Sequence, residues 1–420
     1  MILIKPSLLI GREYLYFFLL SFTLLFFSLS IEFYHYTKLT QFDDAVIEVD
    51  VLKHYTKSNE GRRYEVLKLQ TGEGATFYIT SKSPLKELVG YKTKVWVKTK
   101  YISFFEYIKG FATKGGVISI SRSKADIFKL GDTLKTLHIE QEVSQIYGAL
   151  FFALPLSRSL QERFSMLGVS HLLAISGFHL GVLSFILVSL LRLPYTQVQK
   201  HFFPYRHRNR DLFFVVALVL GGYLVFLGDV ASLLRAYVML LVGYVLHDRG
   251  MKIVSMQTLF MTLVLLLSLW PRLFFSMGFW LSLSGVYFIF LYLRYFSELS
   301  KYISFVAVPA WVYLMMTPIA LILFGNYSLY HPLSIIWSIL FTLFYPLALL
   351  MHLVGYGDTI DGVLHLFLGS ELDGEHFTLA SFWLIPYGLL ALGALYTKKV
   401  LYLLLLVAFG VSVTAVYQVT

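Results

Sequence analysis

The chain contains no cysteine among its 420 residues. That excludes disulfides, thiolate metal sites and a cysteine nucleophile, and leaves the compartment open. Charge is scarce as well: Asp, Glu, Lys and Arg make up 14%, while 57% of residues are hydrophobic. An ordinary soluble domain carries about 25% charged residues. The shortage excludes a soluble globular class and points to an integral membrane protein with many spans. No Gly-x-x-x-x-Gly-Lys-Ser/Thr pattern occurs, so the chain brings no P-loop nucleotide site. An Ala-x-Ala cleavage site is missing after the apolar run Tyr14–Ile31. That run therefore reads as a retained first span, with Lys5 and Arg12 on the cytoplasmic side.

Between about Gln41 and Thr136 the apolar runs stop and the period becomes two. Ile47, Val49 and Val51 share one face of Ala45–Leu52, and Glu48 and Asp50 the other. Tyr64–Leu69, Thr76–Ile79, Lys94–Lys98 and Val117–Ile120 read the same way. Turn signals at Ser58-Asn59-Glu60-Gly61, Gly72-Glu73-Gly74, Ser83-Pro84 and Gly115-Gly116 separate them. Five short strands, interrupted near Leu85–Val89, suit a small all-β, OB-like barrel, with a β-sandwich fragment as the alternative. From Ala45 to Lys124 there are 15 Lys and Arg against 7 Asp and Glu, a net +8 of the whole-chain +10. Lys92, Lys94, Lys98 and Lys100 surround Trp96, flanked by Tyr91 and Tyr101. Lysines can neutralise phosphates while rings stack on unpaired bases. A solvated basic face over core aromatics gives the same pattern.

Beyond Leu134, the run Tyr147–Leu156 is short and ends near Pro155, and Ser159-x-x-Glu162 reads as a capping box opening an interfacial amphipathic helix. Apolar runs of spanning length then recur near His171–Leu191, Leu212–Leu227, Ala231–Leu246, Ile253–Trp270, Phe279–Leu293, Ile303–Phe324, Leu333–Leu353, Leu379–Tyr396 and Val400–Val416. The loop Arg192–Arg210 carries five basic residues and no acid, so it reads as cytoplasmic. The stretches His247–Lys252 and Arg294–Lys301 fall on the same side. Alternation fails later. Tyr356–His376 carries Asp358, Asp361, Glu371, Asp373 and Glu375 without Lys or Arg, whereas Lys398-Lys399 belongs inside. One segment between Ile303 and Leu353 is therefore expected to be re-entrant or broken. Pro309, Pro318, Pro332, Pro346 and Gly325-Asn326 mark that region as the place for a cavity, with a kinked helix pair as the alternative.

The least ordinary stretch is His171-Leu-Leu-Ala-Ile-Ser-Gly-Phe-His-Leu-Gly181, which sets two histidines, a serine and two glycines in an apolar run. Polar side chains in hydrocarbon are costly unless they face protein, water or a substrate path. On one helix, at about 100° per residue, His171, Ser176 and His179 share a face. Gly177 and Gly181 lie opposite, where another helix can approach closely. Alternatively, Ile175-Ser-Gly interrupts the helix. Structural polar packing and the lining of a transport path are both open readings. Ser176 and His179 have no acid in their segment and no Gly-x-Ser-x-Gly elbow, which argues against an intramembrane hydrolase. Histidines eight residues apart are not a helical metal pair. No catalytic residue, metal ligand or cofactor is assigned. Arg235 lies inside the run that starts at Ala231, with Asp229 just outside. It either snorkels to the interface or presents charge to an anion. Ser282 and Gly285 read as a helix-packing stripe.

The stretch Ala149–Leu183 closely resembles the defining motif of the ComEC family of competence proteins. Three later stretches, Gly228–Met239, Met277–Gly285 and Thr317–Ser328, are similar to the family's in the same order. The resemblance covers nearly the whole chain. It implies a polytopic α-helical membrane protein with an inserted external OB-like domain, laid out as an N-terminal helix (1–40), the β-domain (41–125), connecting helices (126–170) and a multi-span competence domain (171–420). It further implies a channel of the cytoplasmic (inner) membrane that imports single-stranded DNA in natural transformation, with the β-domain periplasmic. His171, Ser176, His179 and Arg235 become candidates for the DNA path. Lys92, Lys94, Trp96, Lys98 and Lys100 become candidates for DNA binding, and Gly177, Gly181, Ser282 and Gly285 for helix packing. The implied partners are single-stranded DNA, the lipid bilayer, an external DNA receptor and a cytoplasmic motor or single-strand-binding protein, with homo-oligomerisation left open. Trp280 stands where the family commonly has Gln. The His-x-His-x-Asp-His cluster of the metallo-β-lactamase-like domain found in many relatives does not occur here, so a member without nuclease activity is expected. A small-molecule or lipid transporter, or a hydrolase using Ser176, is the alternative.

Overall fold

The computed structural model describes residues 12–59, 62–81, 87–124, 126–228, 230–248, 255–368 and 375–419. Lys5, Glu60-Gly61, Ser83-Pro84, Leu85, Asp229, Lys252, Glu371 and Asp373 lie outside the described residues. The chain divides into two compact units. One comprises Met1–Leu134 with Phe260–Met277, the other Lys135–Leu259 with Gly278–Thr420.

The first unit opens with helix α1 (Arg12–Leu39). Five strands follow: β1 (Asp44–Asn59), β2 (Arg62–Thr71), β3 (Thr76–Ser81), β4 (Tyr91–Lys98) and, after the short helix α2 (Phe104–Lys109), β5 (Phe111–Lys124). They close into a barrel in the order β1-β2-β3-β5-β4, with β3 and β5 parallel and the other pairs antiparallel. Alternation sends Val49, Val51, Leu67, Leu69, Phe77, Ile79, Val95 and Val97 into one core. β1 outruns the expected Ala45–Leu52 because a bulge between Val51 and Lys53 bends it and a hairpin with β2 continues past the barrel wall. Gly115 is dictated by closure, since a Cβ there would meet the Trp96 carbonyl oxygen at 2.5 Å.

The helix that plugs the barrel is α2, between β4 and β5. Its start is fixed by a capping box in which the Ser103 N–H donates to Glu106 Oε2 (2.9 Å) and the Glu106 N–H donates to Ser103 Oγ (3.3 Å). Those backbone and side-chain donors hold the Glu106 carboxyl below its ordinary range. The expected box at Ser159 is absent: the N-cap is Ser157, and Glu162 instead accepts from Arg158 Nε (2.7 Å).

Helices dominate the rest: α3 (Asp126–Leu137), α4 (Gln141–Phe152), α5 (Arg158–Met166), α6 (Ser170–Leu173), α7 (Gly177–Phe202), α8 (Arg208–Leu227), α9 (Ala231–Asp248) and α10 (Met256–Leu269). After these come α11 (Met277–Phe296), α12 (Lys301–Leu323), α13 (Ser334–Val354), α14 (Asp361–Leu368), α15 (Leu384–Gly393) and α16 (Lys398–Val419). Among the described residues, seven stretches (Arg12–Leu39, Gly177–Phe202, Arg208–Leu227, Met277–Phe296, Lys301–Leu323, His331–Val354 and Lys398–Val419) are long and apolar enough to cross a membrane. The broken segment expected between Ile303 and Leu353 is not found. α12 and α13 run through Pro309, Pro318 and Pro346, and the short apolar helices are α10 and the Ser381–Gly393 stretch instead. Between α12 and α13, Gly325 takes a left-handed turn (φ 65°), and β6 (Asn326–Tyr327) pairs with β7 (Glu375–His376).

Within the first unit, Arg272 joins four elements. Its guanidinium donates to Glu32 Oε2 of α1 (2.5 Å), to the Tyr107 hydroxyl of α2 (3.1 Å) and to the Glu73 carbonyl in the β2–β3 turn (3.2 Å), and it lies over the Tyr107 ring. Burial raises the Tyr107 phenol above its ordinary value, keeping it a neutral acceptor for that bond. Replacing Arg272 by Met leaves the mostly buried Glu32 without its partner. The expected cost is about 3 kcal/mol, read as a lowered melting temperature of the purified chain. An unchanged melting temperature contradicts this role.

Candidate functional site

Of the two readings of His171–Gly181, one continuous helix or a break at Ile175-Ser-Gly, the structure has the break. α6 stops at Leu173, Ala174 is extended (φ −72°, ψ 123°), and Ser176 (φ −131°, ψ 178°) is the N-cap of α7. His171 and His179 consequently share no helix face, and the division that one continuous helix would impose does not hold. The break is stabilised locally. The Ser176 N–H donates to His179 Nδ1 (3.2 Å), and Ser176 Oγ lies 3.0 Å from the same nitrogen. His179 thus plays the part of Glu at the third position of a capping box. The Ile175 carbonyl accepts from Ser232 Oγ of α9 (2.5 Å). The Ser176 N–H and the Ile175 carbonyl, both freed by the break, thus find partners, as burial requires.

His179 is 1% exposed and packs edge-on to Tyr345 at 4.3 Å between ring centres. With Nδ1 accepting, the proton of the neutral ring is on Nε2, which has no hydrogen-bond partner among the described residues. A serine hydrolase needs its base held from the far nitrogen by an orienting group. Here that nitrogen lies among aromatic rings, and the near one already serves a backbone cap. The hydrolase alternative is not favoured. His171 stands apart and exposed, contacting the Gly168 carbonyl through Nδ1 (3.1 Å) and Ser338 Oγ of α13 through Nε2 (3.2 Å).

Arg235 does not snorkel. It is 4% exposed, and its Nη2 donates to Ser282 Oγ of α11 (2.5 Å). Nη1 reaches Met239 Sδ (3.6 Å), and Nε has no partner among the described residues. Ser282 is therefore an acceptor for a buried cation and ties α11 to α9. Of Gly177, Gly181 and Gly285, Gly177 has a close neighbour: a Cβ there would lie 3.4 Å from that of Ala236, whereas at Gly181 and Gly285 it would meet nothing within 4 Å. Trp280 is exposed and sits edge-on to Phe279.

The four stretches singled out in the sequence are linked in space. Ser232 and Ala236 meet Ile175 and Gly177, Arg235 meets Ser282, and Ser328 Oγ donates to the Met166 carbonyl (2.5 Å). The Ser176/His179 device recurs before α13, where the Ser328 N–H donates to His331 Nδ1 (3.0 Å). This Ser-x-x-His repeat is visible in the sequence as a spacing and was not read there. Next to α6, a cavity of about 130 Å³ is walled by Leu172, Leu173, Trp337, Phe341 and other apolar side chains. A wider groove of about 590 Å³ runs along α12, α13 and α16, in the proline-rich region, where the Tyr313 and Tyr327 hydroxyls meet at 3.1 Å.

On the barrel, Lys92, Lys94 and Trp96 point outward from β4, with Lys98 on the same side. Register places an acid opposite each lysine: Asp50 faces Lys92, Glu48 faces Lys94 and Asp44 faces Lys98. Lys100 Nζ donates to Asp43 Oδ2 (2.7 Å), which raises its ammonium above the ordinary lysine value. Opposite charges across a ladder stabilise the sheet, so this stripe is largely neutralised. The outer face of β1–β2–β3 differs. Lys53 stands directly opposite Lys68, Lys68 lies over the Tyr78 ring, and Lys57 faces Tyr64 and lies over Tyr55. Burial lowers the Lys68 ammonium below its ordinary value.

Replacing His179 by Leu removes the acceptor for the Ser176 N–H, whereas Asn keeps an acceptor near the Nδ1 position. Loss of a cap costs about 1 kcal/mol. His179→Leu should therefore lower the melting temperature, and His179→Asn should restore part of the loss. Equal melting temperatures for the two variants contradict a capping role.

No curated protein and no solved structure matches the chain. A protein-family model described as Competence protein matches residues 155–416, from the α4–α5 connection into α16. That match takes in the interrupted helix, the buried Arg235–Ser282 pair and the Ser328 turn, and the chain belongs to the competence protein family.

Proposed function

We propose that the chain is a multi-pass protein of the cytoplasmic membrane that conducts single-stranded DNA inward during natural transformation, with the barrel as an OB-like domain on the outer side. Family membership supports a role in competence and DNA uptake. The observation that carries the transport reading is Arg235. An apolar helix holds this cation 4% exposed, tied to one serine, with an N–H left unpartnered among the described residues. A buried charge without a counter-charge is costly, and ionisable groups in apolar helices mark substrate paths. A phosphodiester supplies the missing anion. The interrupted helix at Ser176 lies next to it in the fold, through Ser232 and Ala236. Strand movement needs an energy source, which this reading assigns to a separate cytoplasmic motor, with an external receptor delivering the DNA.

Phosphates meet the protein first on the outer face of β1–β2–β3. Like charges directly opposite are destabilising in a sheet, and an anion bridging Lys53 and Lys68 relieves that repulsion, while Tyr55, Tyr64 and Tyr78 offer rings for unstacked bases.

Arg235→Gln should reduce uptake of labelled DNA into the cytoplasm about tenfold to a hundredfold, the range of a lost charged hydrogen bond, with surface-bound DNA unchanged. Undiminished uptake at normal protein level refutes the assignment. In the full-length chain, Lys53→Ala with Lys68→Ala should weaken single-stranded DNA binding and flatten its dependence on log salt by about 1.4, or about 0.7 per phosphate contact. Lys92→Ala with Lys94→Ala should leave that slope in place. The reverse ranking returns the contact to β4.

A further inference from the structure

Away from the interrupted helix, three titratable side chains from distant parts of the chain meet in the second unit. His138 precedes α4, His352 lies in the last turn of α13, and Asp361 opens α14. His138 Nδ1 lies 2.9 Å from Asp361 Oδ2, and His138 Nε2 lies 3.1 Å from His352 Nε2. His352 Nδ1 lies 2.7 Å from the Ala348 carbonyl. The His138 side chain is fully buried and that of Asp361 is 18% exposed.

Counting protons along this chain leads to one result. A carbonyl only accepts, so His352 Nδ1 carries a hydrogen, and the neutral His352 ring presents a lone pair at Nε2. A carboxylate also only accepts, so His138 Nδ1 carries a hydrogen, and the neutral His138 ring presents a lone pair at Nε2 as well. Two lone pairs would then face each other at 3.1 Å. A hydrogen bond between these nitrogens requires one further proton. Placing the acid proton on Asp361 does not change the total: Asp361 then donates to His138 Nδ1, and His138 Nε2–H donates to His352.

We infer that His138 and His352 form a proton-binding site in which one proton bridges the two Nε2 atoms and Asp361 supplies the counter-charge. The bound ligand is a single proton, and it holds the segment before α4 to the C-terminal end of α13. Nearby acids favour the bound proton and the apolar rings around it oppose it. From α4, Tyr147 stacks on His138 at 4.7 Å and meets His352 edge-on at 4.4 Å, and Phe151 lies 4.9 Å from His352. The turn before α14 contributes Asp358, whose charge also acts on His352. Gly357 is required beneath the ring, since a Cβ there would lie 2.7 Å from it. On α14, His365 faces Glu140 at 3.5 Å. The only cations facing the site are the histidines themselves, among the described residues. This inference does not depend on DNA transport.

The stability of the purified full-length chain against pH tests it. Below about pH 6.5, the ordinary histidine value, the unfolded chain binds two protons at these histidines and the folded site one, so stability rises with pH. Above about pH 6.5 the unfolded chain binds none and the folded site still one, so stability falls, about tenfold in the folding equilibrium per pH unit, until the site releases its proton. Wild type should therefore show a decline above neutrality that His138→Gln lacks, and Asp361→Asn should end the decline at a lower pH. A wild-type plateau above pH 6.5, or the same decline in His138→Gln, overturns the inference. ZnCl2 and EDTA should leave the wild-type profile unchanged. Stabilisation by ZnCl2 that His138→Gln abolishes assigns the pair to a metal ion and overturns the proton site. Should His138→Gln fail to fold, the shift in Asp361→Asn decides, and no shift overturns it.

Discussion

Every polar group that this chain carries into apolar surroundings has to be satisfied by the chain itself, because hydrocarbon offers no replacement for water. That constraint shapes two places where the backbone leaves helical geometry in the competence region. At Ser176 and at Ser328, a histidine three residues on turns its Nδ1 back to the serine N–H. The carbonyls are served from other elements or serve them: Ile175 accepts from Ser232 and Met166 accepts from Ser328. Satisfying the breaks therefore joins α7 to α9 and the α5 end to the turn before α13. The polar residues that look expensive in sequence are the ties that hold the apolar helices in register.

Arg235 follows the same rule only in part. Ser282 satisfies one terminal nitrogen, while Nε stays open among the described residues. A structural role alone is better met by apolar packing, since buried charge rarely adds net stability. The lack of a carboxylate partner among the described residues separates Arg235 from Arg272, whose guanidinium is shared among a carboxylate, a hydroxyl and a carbonyl. One arginine has a carboxylate and binds elements together, and the other has only a serine and a thioether and keeps capacity for an anion.

Alternation in Ile47–Val51 and Val95–Val97 made the strands legible, because a half-buried strand writes its two faces directly into the sequence. Cross-strand register is not written there. Lys92, Lys94 and Lys98 read as a basic stripe until Asp50, Glu48 and Asp44 are found opposite them. Composition located the long apolar helices, but periodicity could not distinguish a continuous helix from one broken at Ala174–Ser176, since apolar residues continue through the break. Prolines misled for a related reason: Pro318 sits inside α12, where the Thr317 hydroxyl bonds the Tyr313 carbonyl one turn back, so the helix continues. His138, His352 and Asp361 were invisible because more than 200 residues separate the first from the others.

The central claim is that the break at Ser176, beside Arg235, lies on the route taken by DNA. The chain has no cysteine, so a single introduced one reports a single position. Ser176→Cys, placed in the full-length protein in transforming cells and offered incoming DNA carrying a thiol-reactive backbone group, should form a covalent adduct. Leu218→Cys, on the 78% exposed face of α8, should not. Equal adduct formation at both positions, or none at Ser176→Cys while DNA uptake proceeds normally, contradicts the account.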